Sequence, residues 1–312
     1  MIKESYKQQV SLLLDILPII AKEPQFAIHG GTAINLFEMD MPRLSVDIDL
    51  TFITFTEDRE DDFSQIRRGL LNIKEGIKAA LNGITFPDAK RADEELKLFC
   101  LRETSVVKIE VNQLNRGLIA DARVLTLSTK AQEFFDTYCK VNAVSLGQLW
   151  GGKMNAALDR QHPRDLFDMH NFYQIHTITD EIKRGFLYFL LCSKRPIHEV
   201  LRPQPIDQRG VLLNQFIGMS DTPFSYEDYE QARQENIDSI NKSLTDSDKE
   251  FLVSFLKGKP KWTENYNFSQ YPPIRWKLMN QEKLKTMNPE KFDSQVKLLE
   301  KSLEQIENEL TK

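Results

Sequence analysis

Two aspartates separated by one residue carry the clearest chemical signal in this chain. Segment 43–50 (RLSVDIDL) alternates polar and apolar residues, as a β-strand with one buried face does. Arg43, Ser45, Asp47 and Asp49 are therefore expected on one face of a strand. Neighbouring carboxylates repel each other unless a cation lies between them, and a divalent ion that also binds phosphate oxygens suits that position. The alternative is an edge strand whose acidic face meets water.

A glycine pair stands upstream of these aspartates. Gly30 and Gly31 follow the apolar run 26–28 and precede Thr32 and a second apolar run, a pattern that predicts a strand, a tight turn and a helix. Glycine lets backbone N–H groups approach a phosphate, and a helix N-terminus adds partial positive charge. A glycine pair alone marks an ordinary turn, but its combination with the spaced aspartates indicates a nucleotide site.

A third carboxylate is expected on a later strand. In the run 106–111, Lys108 and Glu110 share one face while valines and an isoleucine share the other. Glu110 is the candidate that would complete a site for two metal ions about 3.5–4 Å apart. The alternative is a Lys–Glu pair on a solvated strand face.

A helical pattern follows over residues 146–160. Lys153 and Arg160 fall on one face of this helix. Lys153 is predicted to reach the phosphates of a nucleotide.

Pro163 favours the start of a new helix. Asp165 would lie in its first turn and Asp168 one turn later. Each aspartate also has a purely structural explanation. Asp165 would interact favourably with the helix dipole, and Asp168 would form a salt bridge with Arg164.

Together these residues resemble the fingerprint of the nucleotidyltransferase superfamily and, within it, of the AbiEii/AbiGii toxin family. The superfamily has a glycine turn before a helix, Asp-x-Asp on the next strand and a later acidic residue; the toxin family adds Arg-x-Ser before the aspartates and a downstream Lys and Arg-Asp. Much of the superfamily has Ser at the position of Gly31, where its hydroxyl contacts phosphate. In this chain Thr32 is the neighbouring residue that carries a hydroxyl. The resemblance assigns catalytic roles to Asp47, Asp49, Glu110, Lys153 and Asp165, metal binding to Asp47, Asp49 and Glu110, and nucleotide binding to Gly30, Gly31, Thr32, Arg43, Ser45 and Lys153.

The resemblance also implies an activity. It is the Mg²⁺-dependent transfer of NMP from an NTP to an acceptor hydroxyl, which in characterised relatives is often the tRNA 3′ end. Such a chain would act as the toxin of a bacterial toxin–antitoxin or phage-defence system, with any antitoxin supplied in trans. Two alternatives stay open: an antibiotic-type nucleotidyltransferase with a small-molecule acceptor, and a non-catalytic nucleotide-binding or partner-binding module.

The overall charge requires a local surface for any nucleic acid. The net charge is −5, from 41 basic and 46 acidic residues, so the whole molecule does not attract a polynucleotide. Segment 257–277 mixes cations with aromatic rings, which suits phosphate contact and base stacking. Its candidate RNA-binding residues are Lys257, Lys259, Lys261, Trp262, Arg275, Trp276 and Lys277. The alternative is an irregular aromatic segment that lies against a helical core.

Composition fits a protein of the reducing cytoplasm. Of the 312 residues, 28% are charged and 41% apolar, as in ordinary globular proteins. The three cysteines stand far apart and the histidines lack metal-ligand spacing, so neither a disulfide framework nor a zinc site is expected. No signal pattern or membrane-spanning run is seen.

The elements that must position these residues indicate an α+β fold. A nucleotidyltransferase-type mixed sheet with helices is expected over residues 1–135, and a mainly helical domain over 136–312. Helices are predicted at 5–21 and 63–81, and strands at 26–29, 44–54, 84–86, 96–99 and 106–111. Apolar residues at alternating spacings of four and three from Phe292 to Leu310 predict a terminal helix, which either pairs with a partner or packs on its own domain.

Overall fold

A mixed β-sheet carries the expected carboxylates. The computed structural model describes residues 2–87 and 96–310, and within them six strands join in the order β3-β4-β2-β1-β6-β5. β2 pairs in parallel with β4 and antiparallel with β1. The strands are β1 (Phe26–His29), β2 (Asp47–Phe52), β3 (Lys97–Arg102), β4 (Ser105–Val111), β5 (Arg123–Thr126) and β6 (Lys140–Ala143).

The helices that accompany the sheet bury its apolar face. α1 and α3 contact each other, and they contact β4 and β3, respectively. The predicted first helix is confirmed, and α3 begins earlier than expected because the Asp58 side chain accepts a hydrogen bond from the Glu60 backbone N–H. The helices are α1 (Glu4–Ile20), α2 (Gly30–Thr32), which continues as a π-helical turn at Ala33–Glu38, α3 (Arg59–Ala80) and α4 (Thr129–Phe135).

Two predicted strands are shorter in the structure. β2 begins at Asp47 and not at residue 44, because the backbone N–H of Leu44 bonds to the carbonyl of Met219 at 2.7 Å instead of to a sheet neighbour. The strand expected at 84–86 is reduced to one bridge between Thr85 and Leu101. Arg43 and Ser45 therefore precede the strand.

The C-terminal half of the chain is helical, as the sequence predicted. Pro163 begins a helix, and Pro272 also begins one, so the aromatic segment is less irregular than expected. The helices are α5 (Leu146–Arg160), α6 (Pro163–Ile175), α7 (Asp180–Cys192), α8 (Ile197–Leu201), α9 (Arg209–Val211) followed by a π-helical turn at Leu212–Phe216, α10 (Tyr226–Ser243), α11 (Asp246–Leu256), α12 (Pro272–Met287) and α13 (Pro289–Leu310).

The terminal helix packs within its own unit. The positions of the predicted apolar repeat from Phe292 to Ile306 are buried, whereas Leu298, which is outside the repeat, is 45% exposed. The helix contacts α8, α11 and α12. The side chain of Leu310, the last position of the predicted apolar repeat, lies outside the described residues. No helix in the described part of the chain is both long and apolar enough to cross a membrane.

The described residues form two compact units. One comprises the chain up to Ser145 together with Leu213–Pro223, and the other comprises Leu146–Leu212 and the chain from Phe224 onward. The sequence placed a boundary after residue 135, whereas β6 pairs with β1 and β5 and so lies with the sheet.

Candidate active site

The register of β2 and β4 brings the predicted carboxylates onto one face of the sheet. Asp47 lies beside Lys108, and Asp49 lies beside Glu110. These four side chains are half-buried. On each strand the residue between the two polar ones, such as Ile48 on β2, is fully buried. The predicted alternation of polar and apolar residues is therefore present from Asp47 onward. The polar face is formed by the adjacent strands β2 and β4.

The glycine turn lies against the second aspartate. β1 ends at His29, which pairs with Asp49 across the sheet, and Gly30 follows with a φ of 71°. A Cβ atom at Gly30 would lie 2.6 Å from Asp49 Oδ2, which is closer than real Cβ contacts. Only glycine both adopts this backbone conformation readily and leaves the carboxylate in place. His29 Nδ1 lies 3.0 Å from the Thr51 hydroxyl, which orients the ring.

The second glycine lies against the Arg-x-Ser segment. A Cβ atom at Gly31 would lie 2.9 Å from Ser45 Oγ and 3.1 Å from Arg43 Nη2. Arg43 and Ser45 are buried, and Arg43 Nη1 donates a hydrogen bond to the carbonyl of Leu44 at 2.9 Å. The two parts of the motif, distant in sequence, are thus packed together, with Arg43 and Ser45 supporting the turn from inside.

Thr32 has an internal position as well. Its side chain is buried, and its hydroxyl bonds to the carbonyl of Asp47 and lies 3.1 Å from Ser45 Oγ. Thr32 therefore ties the glycine turn to the first residue of β2. The hydroxyl that the sequence offered for a phosphate contact is directed into the fold.

Glu110, the expected third carboxylate, is bound by two lysines. Its Oε2 lies 2.8 Å from Lys108 Nζ, and its Oε1 lies 3.2 Å from Lys97 Nζ. Burial opposes ionisation, but the hydrogen bonds and charges of the two lysines outweigh it and lower the pKa of Glu110. Both carboxylate oxygens consequently take part in ion pairs.

The charge of Lys108 is also stabilised by the aspartates. Burial alone would lower the pKa of Lys108, but the hydrogen bond to Glu110 and the negative charges of Asp47, Glu110 and Asp49 raise it above its ordinary value. The face therefore favours positive charge in the space beside β2.

Asp47 and Asp49 are suited to bind a divalent cation. They supply the oxygen ligands that Mg²⁺ prefers, they share one face of β2, and the bare Cα of Gly30 leaves room beside Asp49. Among residues 2–87 and 96–310, however, no three His, Cys, Asp or Glu side chains are grouped closely enough to hold a metal ion together. The arrangement fits an ion held by the two aspartates, with the remaining coordination from nucleotide and water.

The predicted Lys153 and Asp165 meet in the helical unit. Lys153 Nζ lies 2.8 Å from Asp165 Oδ1 and 2.9 Å from Asp168 Oδ2. Arg160 reaches the same Asp165 carboxylate through Nε at 2.5 Å and Nη2 at 3.0 Å. Lys153 and both aspartates are buried, whereas Arg160 is 62% exposed. The contact of Lys153 with Asp168 was not predicted, since the sequence suggested Arg164 as the partner of Asp168.

The electrostatics of this cluster keep Asp165 ionised. Burial would raise its pKa, but the charges of Lys153 and Arg160 and their hydrogen bonds hold the pKa of Asp165 far below its ordinary range. Two cations and two carboxylates balance in this cluster, which joins α5 to α6, although the Arg160 side chain lies mostly at the surface.

The basic segment makes more internal contacts than its sequence suggested. Lys277 Nζ donates to the carbonyl of Ser193 at 2.6 Å, and burial lowers the pKa of Lys277. The Trp262 ring packs against Phe251 and Phe255. These two candidate RNA-binding residues are therefore half-buried against the helical unit.

The other candidates of that segment remain at the surface. Lys257 and Lys261 are exposed but lie 2.8 Å and 3.2 Å from carboxylates of α13 and α11. Lys259 and Arg275 are also exposed, and Trp276 is 58% exposed. The predicted patch is thus smaller and less basic than a count of its cations implies.

Comparison with known proteins identifies the family. The family model described as "Nucleotidyl transferase AbiEii toxin, Type IV TA system" matches residues 11–280, which is most of the chain. The chain belongs to the AbiEii nucleotidyltransferase toxin family. It is therefore a nucleotidyltransferase, as the residues of the glycine turn and the aspartate pair predicted, and a toxin of a type IV toxin–antitoxin system, which implies an NTP substrate and a cognate antitoxin.

One solved structure supports the fold of this AbiEii chain. MenT4, a nucleotidyltransferase toxin from Mycobacterium tuberculosis H37Rv, matches with a TM-score of 0.61 and 14% identity over 89% of this chain and 95% of its own. A putative nucleotidyltransferase from H. pylori matches with a TM-score of 0.46 and 16% identity over 78% of this chain and 97% of its own. No curated protein matches the sequence significantly. The likeness to MenT4 confirms the predicted α+β class.

Proposed function

We propose that this AbiEii toxin transfers NMP from an NTP to an acceptor hydroxyl of RNA, with the tRNA 3′ end as the expected site, and that Asp47 and Asp49 hold the divalent ion of the nucleotide. The observation that carries this proposal is the contact of Gly30 with Asp49. It places a glycine turn suited to phosphate oxygens directly beside an aspartate pair suited to a metal ion.

Each residue of this face has a distinct part in the proposed reaction. The backbone N–H groups of the turn at Gly30 and Gly31 donate hydrogen bonds to oxygens of the triphosphate, because glycine leaves the backbone accessible there. Asp47 and Asp49 bind the ion, and Thr32 fixes the start of β2 and so the direction of both carboxylates. Arg43 and Ser45 support the turn.

The chemistry requires positioning and charge neutralisation. The acceptor oxygen forms a bond to the α-phosphorus as the bond from that phosphorus to the pyrophosphate oxygen breaks. Pyrophosphate leaves in line, and the proton of the acceptor hydroxyl passes to water. A bound divalent ion supplies Lewis acidity and neutralises the charge of the phosphates. The protein contributes by orienting the triphosphate, since transfer of this kind needs no covalent intermediate with a side chain.

RNA as the acceptor rests on two further observations. The resemblance to the toxin family implies it, and the helical unit exposes Trp276, Arg275 and Lys259 as one stacking group and two cations. A small-molecule acceptor would not need them.

A labelling experiment tests the proposal. The protein, Mg²⁺ and each α-³²P-labelled NTP are incubated with and without total RNA, and transfer is measured for wild type, Asp49→Asn and Asp121→Asn. Asp49→Asn should lose transfer while keeping its circular dichroism spectrum, and Asp121→Asn, the same change at an exposed position of the same unit, should behave as wild type. Label on a small molecule instead of RNA would replace the proposed acceptor, and full activity of Asp49→Asn would refute the metal assignment.

Growth provides a second measurement. Expression of the native chain without antitoxin should arrest bacterial growth, and Asp47→Ala at equal protein level should relieve the arrest. Arrest by both chains would mean that toxicity does not depend on the aspartate pair.

A further inference from the structure

We infer that the active face binds one divalent ion and not two, and that the ammonium groups of Lys108 and Lys97 supply the positive charge that a second ion would bring. This inference rests on the proposed nucleotidyl transfer at Asp47 and Asp49. It assigns Lys108 as a residue of the reaction and gives Glu110 the role of holding the lysines.

The first support is the state of the third carboxylate. A second ion would need an oxygen of Glu110, yet both oxygens of Glu110 are in ion pairs, at 2.8 Å to Lys108 and 3.2 Å to Lys97. The lysines also come from fixed positions. Lys97 is the register partner of Glu110 on β3, and Lys108 is two residues before Glu110 on β4, so the sheet itself holds the three side chains together.

The second support is the place of Lys108 relative to the aspartates. Lys108 is the register neighbour of Asp47, and adjacent strands lie about 4.8 Å apart. Its side chain is 31% exposed and that of Glu110 33%. The charge of a half-buried ammonium beside Asp47 is screened by less water than that of a surface lysine. Its electrostatic interaction with groups bound at the same face is therefore stronger.

The third support is the balance of charge. Three carboxylates with two divalent ions carry one net positive charge, and these three carboxylates with two lysines and one divalent ion carry the same. The two ammonium groups therefore replace the charge of one ion completely. A second ion added to this face would leave a surplus of three positive charges before the nucleotide binds, which repulsion disfavours.

Counting bound ions tests the inference without reference to turnover. Mn²⁺ is titrated into the protein saturated with an α,β-methylene NTP analogue, and bound Mn²⁺ per complex is measured by electron paramagnetic resonance, which also detects the coupling of two nearby Mn²⁺ ions. Wild type should bind one ion without coupling. Two coupled ions in wild type would overturn the inference, whatever any variant does.

Variants then test the role of the lysines. The double variant Lys97→Met/Lys108→Met removes both ion pairs of Glu110 and should bind a second, coupled Mn²⁺ ion. The single variant Lys108→Gln should lower the rate of transfer about 100-fold. Lys108→Arg keeps the charge and should retain one ion, and Lys140→Met, an exposed lysine of the same sheet, is the matched control. If the folded double variant still binds a single ion, the lysines do not exclude the second one and the inference fails.

The outcomes separate this inference from the proposed function. Transfer to RNA together with two coupled ions in wild type refutes the lysine assignment alone. Absence of both Mn²⁺ and analogue binding in a protein with native circular dichroism refutes the proposed function itself.

Discussion

Gly30 is subject to two separate constraints at the scale of one residue. Its φ of 71° lies in the left-handed region, where other residues carry a cost of about 1–2 kcal/mol. The absence of a side chain also lets the turn approach Asp49 Oδ2, which a Cβ atom would contact at 2.6 Å. The first constraint concerns stability, and the second concerns the position of a functional carboxylate.

A matched pair of substitutions separates the two constraints. Gly30→Ala should reduce transfer about 100-fold, because the added methyl group would displace the Asp49 carboxylate from its position. Gly83→Ala has the same backbone strain, with a φ of 72°, but its Cβ meets nothing within 4 Å. Both variants should lose about 1–2 kcal/mol in unfolding free energy, measured in urea, and only Gly30→Ala should lose activity. Equal activities would mean that the contact with Asp49 has no bearing on the reaction.

At the scale of elements, α5 and α6 are joined by the buried Lys153, Asp165 and Asp168 together with the exposed Arg160. Lys153→Met should lower the free energy of unfolding by about 3–5 kcal/mol, because Asp165 and Asp168 lose the ammonium they share. Lys153→Met with Asp168→Asn should recover part of that loss, since one negative charge is removed. Lys297→Met, an exposed lysine of α13, should be neutral in the same urea titration.

The same double variant tests the predicted role of Lys153 in transfer. If Lys153 contacts the nucleotide, Lys153→Met should cost about 2–4 kcal/mol in transition-state stabilisation, and the double variant should regain stability without regaining activity. Activity is compared at a temperature where all variants are folded. Recovery of activity in step with stability would make Lys153 a structural residue.

Acid should weaken the cluster through Asp165. Because the pKa of Asp165 is lowered in the folded state, its contribution to stability is fully present above its unfolded pKa of about 3.9 and is lost as the pH falls toward the folded value. Asp165→Asn should therefore show a shallower decrease of unfolding free energy between pH 5 and 3 than wild type, while Asp293→Asn, at an exposed site on α13, keeps the wild-type slope. Identical slopes for wild type and Asp165→Asn would contradict the assigned shift.

The elements show which parts of the site are predictable from sequence. The strand and helix patterns predicted β1, β4, α5 and α6 because local periodicity and Pro163 determine them. The start of β2 was missed because it depends on a backbone bond to Met219, far away in sequence. The pairing of Lys97 with Glu110 and of Lys153 with Asp168 was missed for a related reason. Register between strands and packing between helices decide those contacts, and neither has a local pattern.

At the scale of the whole molecule, acidity limits how RNA can bind. With a net charge of −5, long-range attraction of a polynucleotide is weak, so affinity must come from a few local contacts. The structure leaves Lys259, Arg275 and Trp276 exposed, with the Arg275 guanidinium donating hydrogen bonds to the carbonyl of Gln270. A small number of phosphate contacts implies a shallow dependence of affinity on salt.

Salt titration of RNA binding distinguishes the exposed cations, Lys259 and Arg275, from the half-buried Lys277. Lys259→Ala and Arg275→Ala should each reduce the slope of log affinity against log salt by about 0.7, the value for one phosphate contact of a single strand. Trp276→Ala should weaken binding with the slope unchanged, because stacking releases no counterions. Lys277→Ala should leave the slope at the wild-type value, since its side chain is half-buried and its ammonium donates to the carbonyl of Ser193. If transfer to RNA persists while the combined Lys259→Ala and Arg275→Ala variant keeps the wild-type slope, the acceptor binds elsewhere on the protein.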